Sequence, residues 1–73
     1  MKTNIYVKLL NEGTLVYRPV PSIKINQNLY ILEGAEIYDP ENELWEFKPG
    51  SRVLVKEQLL ESELVLVAVE EYL

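Results

Sequence analysis

The groups with most chemical potential in this chain are carboxylates, and Glu41, Glu43 and Glu46 lie close together. Paired carboxylates can divide the roles of general acid and general base. On a charged loop, though, such side chains form a solvated face. The run Asp39-Pro40-Glu41-Asn42-Glu43 offers oxygen ligands, yet it lacks the spacing and the glycine of a calcium loop. There is no histidine and no cysteine. Ser-His and Cys-His pairs, thiolate metal sites and the commonest general base near neutral pH are therefore all excluded. The three glycines, Gly13, Gly34 and Gly50, are too far apart for a phosphate-binding loop. The expectation is a protein that is not an enzyme, with no catalytic residue, metal or cofactor.

The other candidates are aromatic, basic and aliphatic. Trp45 and Phe47 stand two apart, so on a strand they share a face. That face is either core or, with Tyr17 and Tyr38, an aromatic patch for a peptide. Arg18 lies between apolar neighbours in Tyr17-Arg18-Pro19-Val20. It either covers the barrel surface and pairs with a carboxylate such as Glu46, or anchors a partner. Tyr17, Arg18, Tyr38, Trp45 and Glu46 are thus the candidate partner-binding set. In the last segment, Leu64, Leu66 and Ala68 alternate with Val65, Val67 and Val69, so both faces are apolar. A strand of a lone small barrel has one face in water and should alternate. Leu64, Val65, Leu66 and Val67 are accordingly a candidate homodimer interface.

The elements that must position these groups follow a period of two. Ile5, Val7 and Leu9 alternate with Tyr6, Lys8 and Leu10, which predicts a half-buried strand. Asn11-Glu12-Gly13 predicts a hairpin loop, with Thr14 to Arg18 returning. Pro19 and Pro21 predict that this strand ends, or lies on an edge, between Arg18 and Val20. Ser22 to Ile25 and Leu29 to Leu32 pair around Asn26-Gln27-Asn28. Glu36-Ile37-Tyr38 reads as a short extended piece after a bend at Gly34. Asp39-Pro40-Glu41-Asn42 is a turn, or at most one helical turn. Pro49-Gly50 fits the centre of a type II turn. Arg52 to Lys56 and Leu64 to Val69 are the last strands, with a turn near Glu61-Ser62; a helix from Lys56 to Leu66 competes on propensity. The valine-rich end favours strand. The expected fold is all-β: one domain over residues 1–73, a five- to six-stranded antiparallel SH3-like barrel or roll.

The totals limit the partners. A chain of 73 residues buries a modest core, and with no cysteine the staple left open is oligomerisation. The net charge is −5 and the seven cations are scattered singly, which disfavours nucleic acid. No run approaches the roughly 18 apolar residues of a membrane span. The first residues are too polar for a secretory signal, so the expected location is the cytoplasm.

Two blocks of the sequence carry a resemblance. The segment Leu10-Asn11-Glu12-Gly13-Thr14-Leu15-Val16-Tyr17-Arg18-Pro19-Val20, with Trp45-Glu46-Phe47-Lys48-Pro49-Gly50-Ser51-Arg52-Val53 after it, resembles a group of short uncharacterised bacterial proteins. Their pattern is L-x-E-G-T-x-V-x-R-P-V followed by W-x-F-x-P-G-S-x-V. The resemblance implies a bacterial origin and a small β-barrel, and brings no activity or ligand. The leading expectation is a non-enzymatic protein-interaction module. The alternatives are an immunity-type inhibitor whose acidic face covers a basic toxic enzyme, and a weak single-stranded nucleic-acid binder.

Overall fold

A computed structural model describes residues 2–73. The alternation of β-branched and polar residues produces six strands and no helix among the described residues. They are β1 (Lys2–Leu10), β2 (Tyr17–Asn26), β3 (Leu29–Leu32), β4 (Leu44–Trp45), β5 (Arg52–Leu60) and β6 (Glu63–Glu71). Their order is β2-β3-β5-β6-β1-β4, and β2 also pairs with β1, so β1, β2, β3, β5 and β6 form a closed ring of hydrogen bonds. This is the small all-β barrel that the sequence predicts. Short β4 adds to β1 through Leu9↔Trp45 and Leu10↔Leu44.

Each ring strand runs antiparallel to the next along the chain, which leaves the first and last strands parallel. The closing pair, β1 with β6, is parallel and consists of one bridge, Tyr6↔Val67. By contrast, β1 and β2 are in unbroken register from Lys2↔Ile23 to Lys8↔Tyr17. The core gathers inward-facing residues from every strand: Ile5, Val7 and Leu9 of β1, Val20 of β2, and Tyr30 and Leu32 of β3. Trp45, Val53, Val55 and Ala68 complete it. Among the described residues, every buried side-chain nitrogen and oxygen has a hydrogen-bond partner.

Several local expectations change. The prolines do not end β2, which runs through Pro19 and Pro21 while paired with β1. The Pro21 carbonyl accepts from Glu33 N at 2.9 Å, on the side away from β1. In an antiparallel ladder a residue's amide points the same way as its carbonyl, so the hydrogen that Pro21 lacks is not needed by β1. Pro19, two residues earlier, occupies the equivalent position. The returning strand starts at Tyr17 rather than Thr14, because Asn11 and Gly13 both take positive φ and widen the loop. Glu36-Ile37-Tyr38 is not extended: Ile37 N and Tyr38 N both donate to Gly34 O at 3.0 Å, closing a turn.

The turn at Asp39 contains one helical-type bond, Glu43 N to Asp39 O, and the Asp39 carboxylate accepts from Glu41 N at 3.1 Å. Lys48 and Ser51 close the Pro49-Gly50 turn, with Gly50 at φ +91° as a type II turn requires. The competing helix from Lys56 is absent: β5 and β6 form one long hairpin through Leu60↔Glu63, with Glu61 and Ser62 at φ +48° and +72°. That pair of positive φ values belongs to a type I′ turn, whose twist matches the flanking strands.

Candidate functional site

The partner-binding set converges only in part. Arg18, on the same face of β2 as the buried Val20 and Ser22, reaches Glu43 just before β4 with a bidentate pair: Nε to Oε1 at 2.6 Å and Nη2 to Oε2 at 2.8 Å. Trp45 Nε1 donates to the same Oε1 at 3.2 Å. The ring of Tyr38 lies 4.7 Å from that of Trp45 at 55°, a tilted aromatic contact. The carboxylate partner of Arg18 is therefore Glu43, not Glu46. The turn at Asp39 sets Glu43 against β2, while Glu46 is exposed and its amide is held by Lys8 O.

The electrostatics of this cluster are those of a satisfied pair. The hydrogen bond from Arg18 holds the Glu43 carboxyl below its ordinary value, partly offset by burial and helped by Trp45 N–H. The same bond raises the Arg18 guanidinium. Trp45 is 2% exposed and belongs to the core, and Phe47 packs against it from outside. Arg18, Glu43, Trp45 and Tyr38 thus plug one end of the barrel, and their hydrogen-bonding capacity is largely spent on each other. Tyr17 is directed to the opposite face of β2 from Arg18 and takes no part in this cluster.

The second candidate set also divides. Val67 is 3% exposed, and Leu66 packs against the core, so the chain itself covers both. Val67 and Ala68 stand in regular register opposite Lys56 and Val55, so they point to opposite faces: Ala68 enters the core and Val67 is covered at the seam with Tyr6. A bulge follows, where Leu54 pairs with Glu70 and leaves Val69 without a register partner. Leu64, in contrast, is 69% exposed and Val65 is half-buried.

What sequence reasoning did not identify is the shape of the β5–β6 hairpin. β3 pairs with β5 only between Arg52 and Leu54, and β1 meets β6 only at Val67. Among the described residues, each strand has the other as its only ladder partner from Lys56 to Leu60 and from Glu63 to Leu66, so this part projects as a two-stranded ribbon. One face carries the cross-strand pair Leu59↔Leu64, and Leu59 is 64% exposed. The other carries Leu60 and Val65, which border an open cleft of about 360 Å³. Tyr6 of β1, Leu15 of the first loop and Tyr17 of β2 line its other side, and Glu61 and Glu63 complete it. Tyr17 therefore belongs to the cleft. The signal available in the sequence was Leu59-Leu60 followed by Leu64-Val65 around a polar turn, a pattern apolar on both faces.

Among the described residues, no group of three or more acidic side chains could hold a metal ion, and no helix is long and apolar enough to cross a membrane. No family model, curated protein or solved structure matches the chain.

Proposed function

We propose that this chain is a non-enzymatic protein-interaction module that grips a basic partner protein with its β5–β6 ribbon. The observation that carries this reading is the exposure of Leu59 and Leu64 side by side beyond the barrel. Two large aliphatic side chains in water at a ribbon tip cost solubility, and burial against a partner recovers roughly 1.5–3 kcal/mol for each. Their surroundings favour the partner's charge. From Lys56 to Leu66 the ribbon holds Glu57, Glu61 and Glu63 against a single cation, and no cation follows to the end of the sequence. A second copy would bring like charges together, whereas a basic rim complements them.

An inhibitor that covers the basic active site of a toxic enzyme is one form of such a module, and the same acidic ribbon supports it. Nucleic acid is supported less well. Lys2 is paired with Glu33 at 2.9 Å and Arg18 with Glu43, while Arg52 lies over the Tyr72 ring at 5.8 Å. These cations form no stripe along which a phosphate backbone could run.

The test is quantitative co-purification of the tagged chain against its Leu59→Ser/Leu64→Ser variant. A basic protein should be retained by the wild type and lost by the variant, and the purified pair should re-form a complex that weakens as salt rises. If every retained protein is retained equally by the variant, or if the ribbon instead mediates a dimer by light scattering, the reading fails.

A further inference from the structure

The barrel seam between β1 and β6 is held by one bridge, Tyr6↔Val67. Before Val67, β6 from Glu63 to Leu66 has β5 on one edge and, among the described residues, no strand on the other. That open edge borders the cleft already described, which Glu63 and Val65 line together with Tyr6 and Tyr17. We infer that the open seam is a strand-acceptor site, in which an extended segment of the partner pairs with Glu63–Leu66 and sets a lysine or arginine among Tyr6, Tyr17, Glu61 and Glu63. This deepens the interaction-module reading and rests on it.

Three features select this occupant. An unpaired strand edge offers amides and carbonyls that only another extended backbone matches along its length. The volume, about 360 Å³, suits a few side chains rather than a helix or a folded domain. The lining then sets the side-chain chemistry. Leu15, Leu60 and Val65 accept aliphatic groups. The tyrosine rings can take a cation on their faces, and no lysine or arginine lines the cleft to oppose it. The bound segment is therefore extended and basic, with cationic and aliphatic residues alternating. The free edge of β2 does not compete, because Pro19 has no amide hydrogen to offer there and the Pro21 carbonyl already accepts from Glu33 N.

The probe is a fluorescent peptide of about seven residues alternating lysine and valine, the length of an ordinary strand. Three controls accompany it: a peptide with glutamate for lysine, a peptide N-methylated at alternate backbone amides, and the whole chain carrying Glu61→Gln/Glu63→Gln. Anisotropy titration at low salt should give saturable binding, and amide shifts should centre on Tyr6, Tyr17 and Glu63–Leu66. The glutamate peptide, the N-methylated peptide and the Gln variant should each bind about tenfold or more weakly. Equal binding by the N-methylated peptide overturns strand pairing, and equal binding by the glutamate peptide overturns the cation. Shifts confined to the Leu59–Leu64 face also overturn the seam as the site. The two readings fail separately. If the peptide does not bind while Leu59→Ser/Leu64→Ser still loses the basic partner, the seam inference falls and the module remains. If the peptide binds in the seam but co-purification is unaffected by the double substitution, the leucine contact falls.

Discussion

Two regions of the barrel treat their residues in opposite ways. In one, Arg18, Trp45 and Tyr38 are of the residue types enriched at binding hot spots, yet with Glu43 they are hydrogen-bonded and stacked on one another. In the other, leucines and glutamates with no special chemistry remain uncovered on a ribbon whose edges lack partners among the described residues. The difference teaches that residue type nominates a surface, while unspent capacity decides it. An arginine with a bidentate carboxylate partner has little left to offer a second protein.

The contrast can be broken most forcefully at Trp45. Trp45→Ala should cost about 3–5 kcal/mol, as for other buried aromatic truncations. Denaturant unfolding should show a much lower midpoint or no cooperative transition; a loss below about 1 kcal/mol would show that the plug is a surface patch. Arg18→Ala should cost about 1–2 kcal/mol by leaving Glu43 without its partner, with partial exposure of the pair limiting the loss.

The same pair makes a pH signature. The folded-state value of Glu43 is depressed, so its contribution is complete above the unfolded carboxylate value near 4.3 and disappears as pH falls through the lower folded value. Unfolding curves of the wild type should weaken across that acid window, and Glu43→Gln should flatten this part of the profile. An unchanged slope would separate Arg18 from Glu43 in solution.

The ribbon should respond in the reverse sense. Ser62→Gly relieves a non-glycine residue at φ +72° and should stabilise the protein by about 0.5–1 kcal/mol in thermal unfolding. A loss would show that the turn is not of type I′. Least of all, Leu59→Ser/Leu64→Ser should change stability by about 0.5 kcal/mol or less, since neither side chain is buried. A cost of about 2 kcal/mol or more, as for truncation of a buried leucine, would mean that the chain itself covers the leucines.

The parts legible in the sequence were those fixed by neighbours along the chain. Pro49-Gly50, Asn26-Gln27-Asn28 and Glu61-Ser62 each turn where local chemistry requires it. The alternation of Ile5, Val7 and Leu9 identified its buried face, since period and burial are coupled in a strand. Pro19 and Pro21 mark an edge rather than an end of β2, because a breaker breaks only a ladder that needs its amide, and that depends on which edge is occupied. Glu43 rather than Glu46 was illegible for a related reason. The pairing depends on how β4 docks on β1 across a long separation in sequence. The ribbon was obscured by Lys56-Glu57-Gln58-Leu59-Leu60, whose helical propensity is overridden by the valine-rich strand opposite.

The lone Tyr6↔Val67 bridge also carries a kinetic meaning. It joins residues near opposite ends of the sequence, so closing it demands the largest loss of chain entropy of any ladder in the barrel, for the smallest return in hydrogen bonds. The antiparallel hairpins form from local segments and need no such closure. The ring is therefore assembled as an open meander and sealed last, and in the native state it unseals first. In native-state hydrogen exchange, the amides that bond across the β1–β6 seam should trade their protons by a sub-global opening well before the amides of the β1–β2 ladder do.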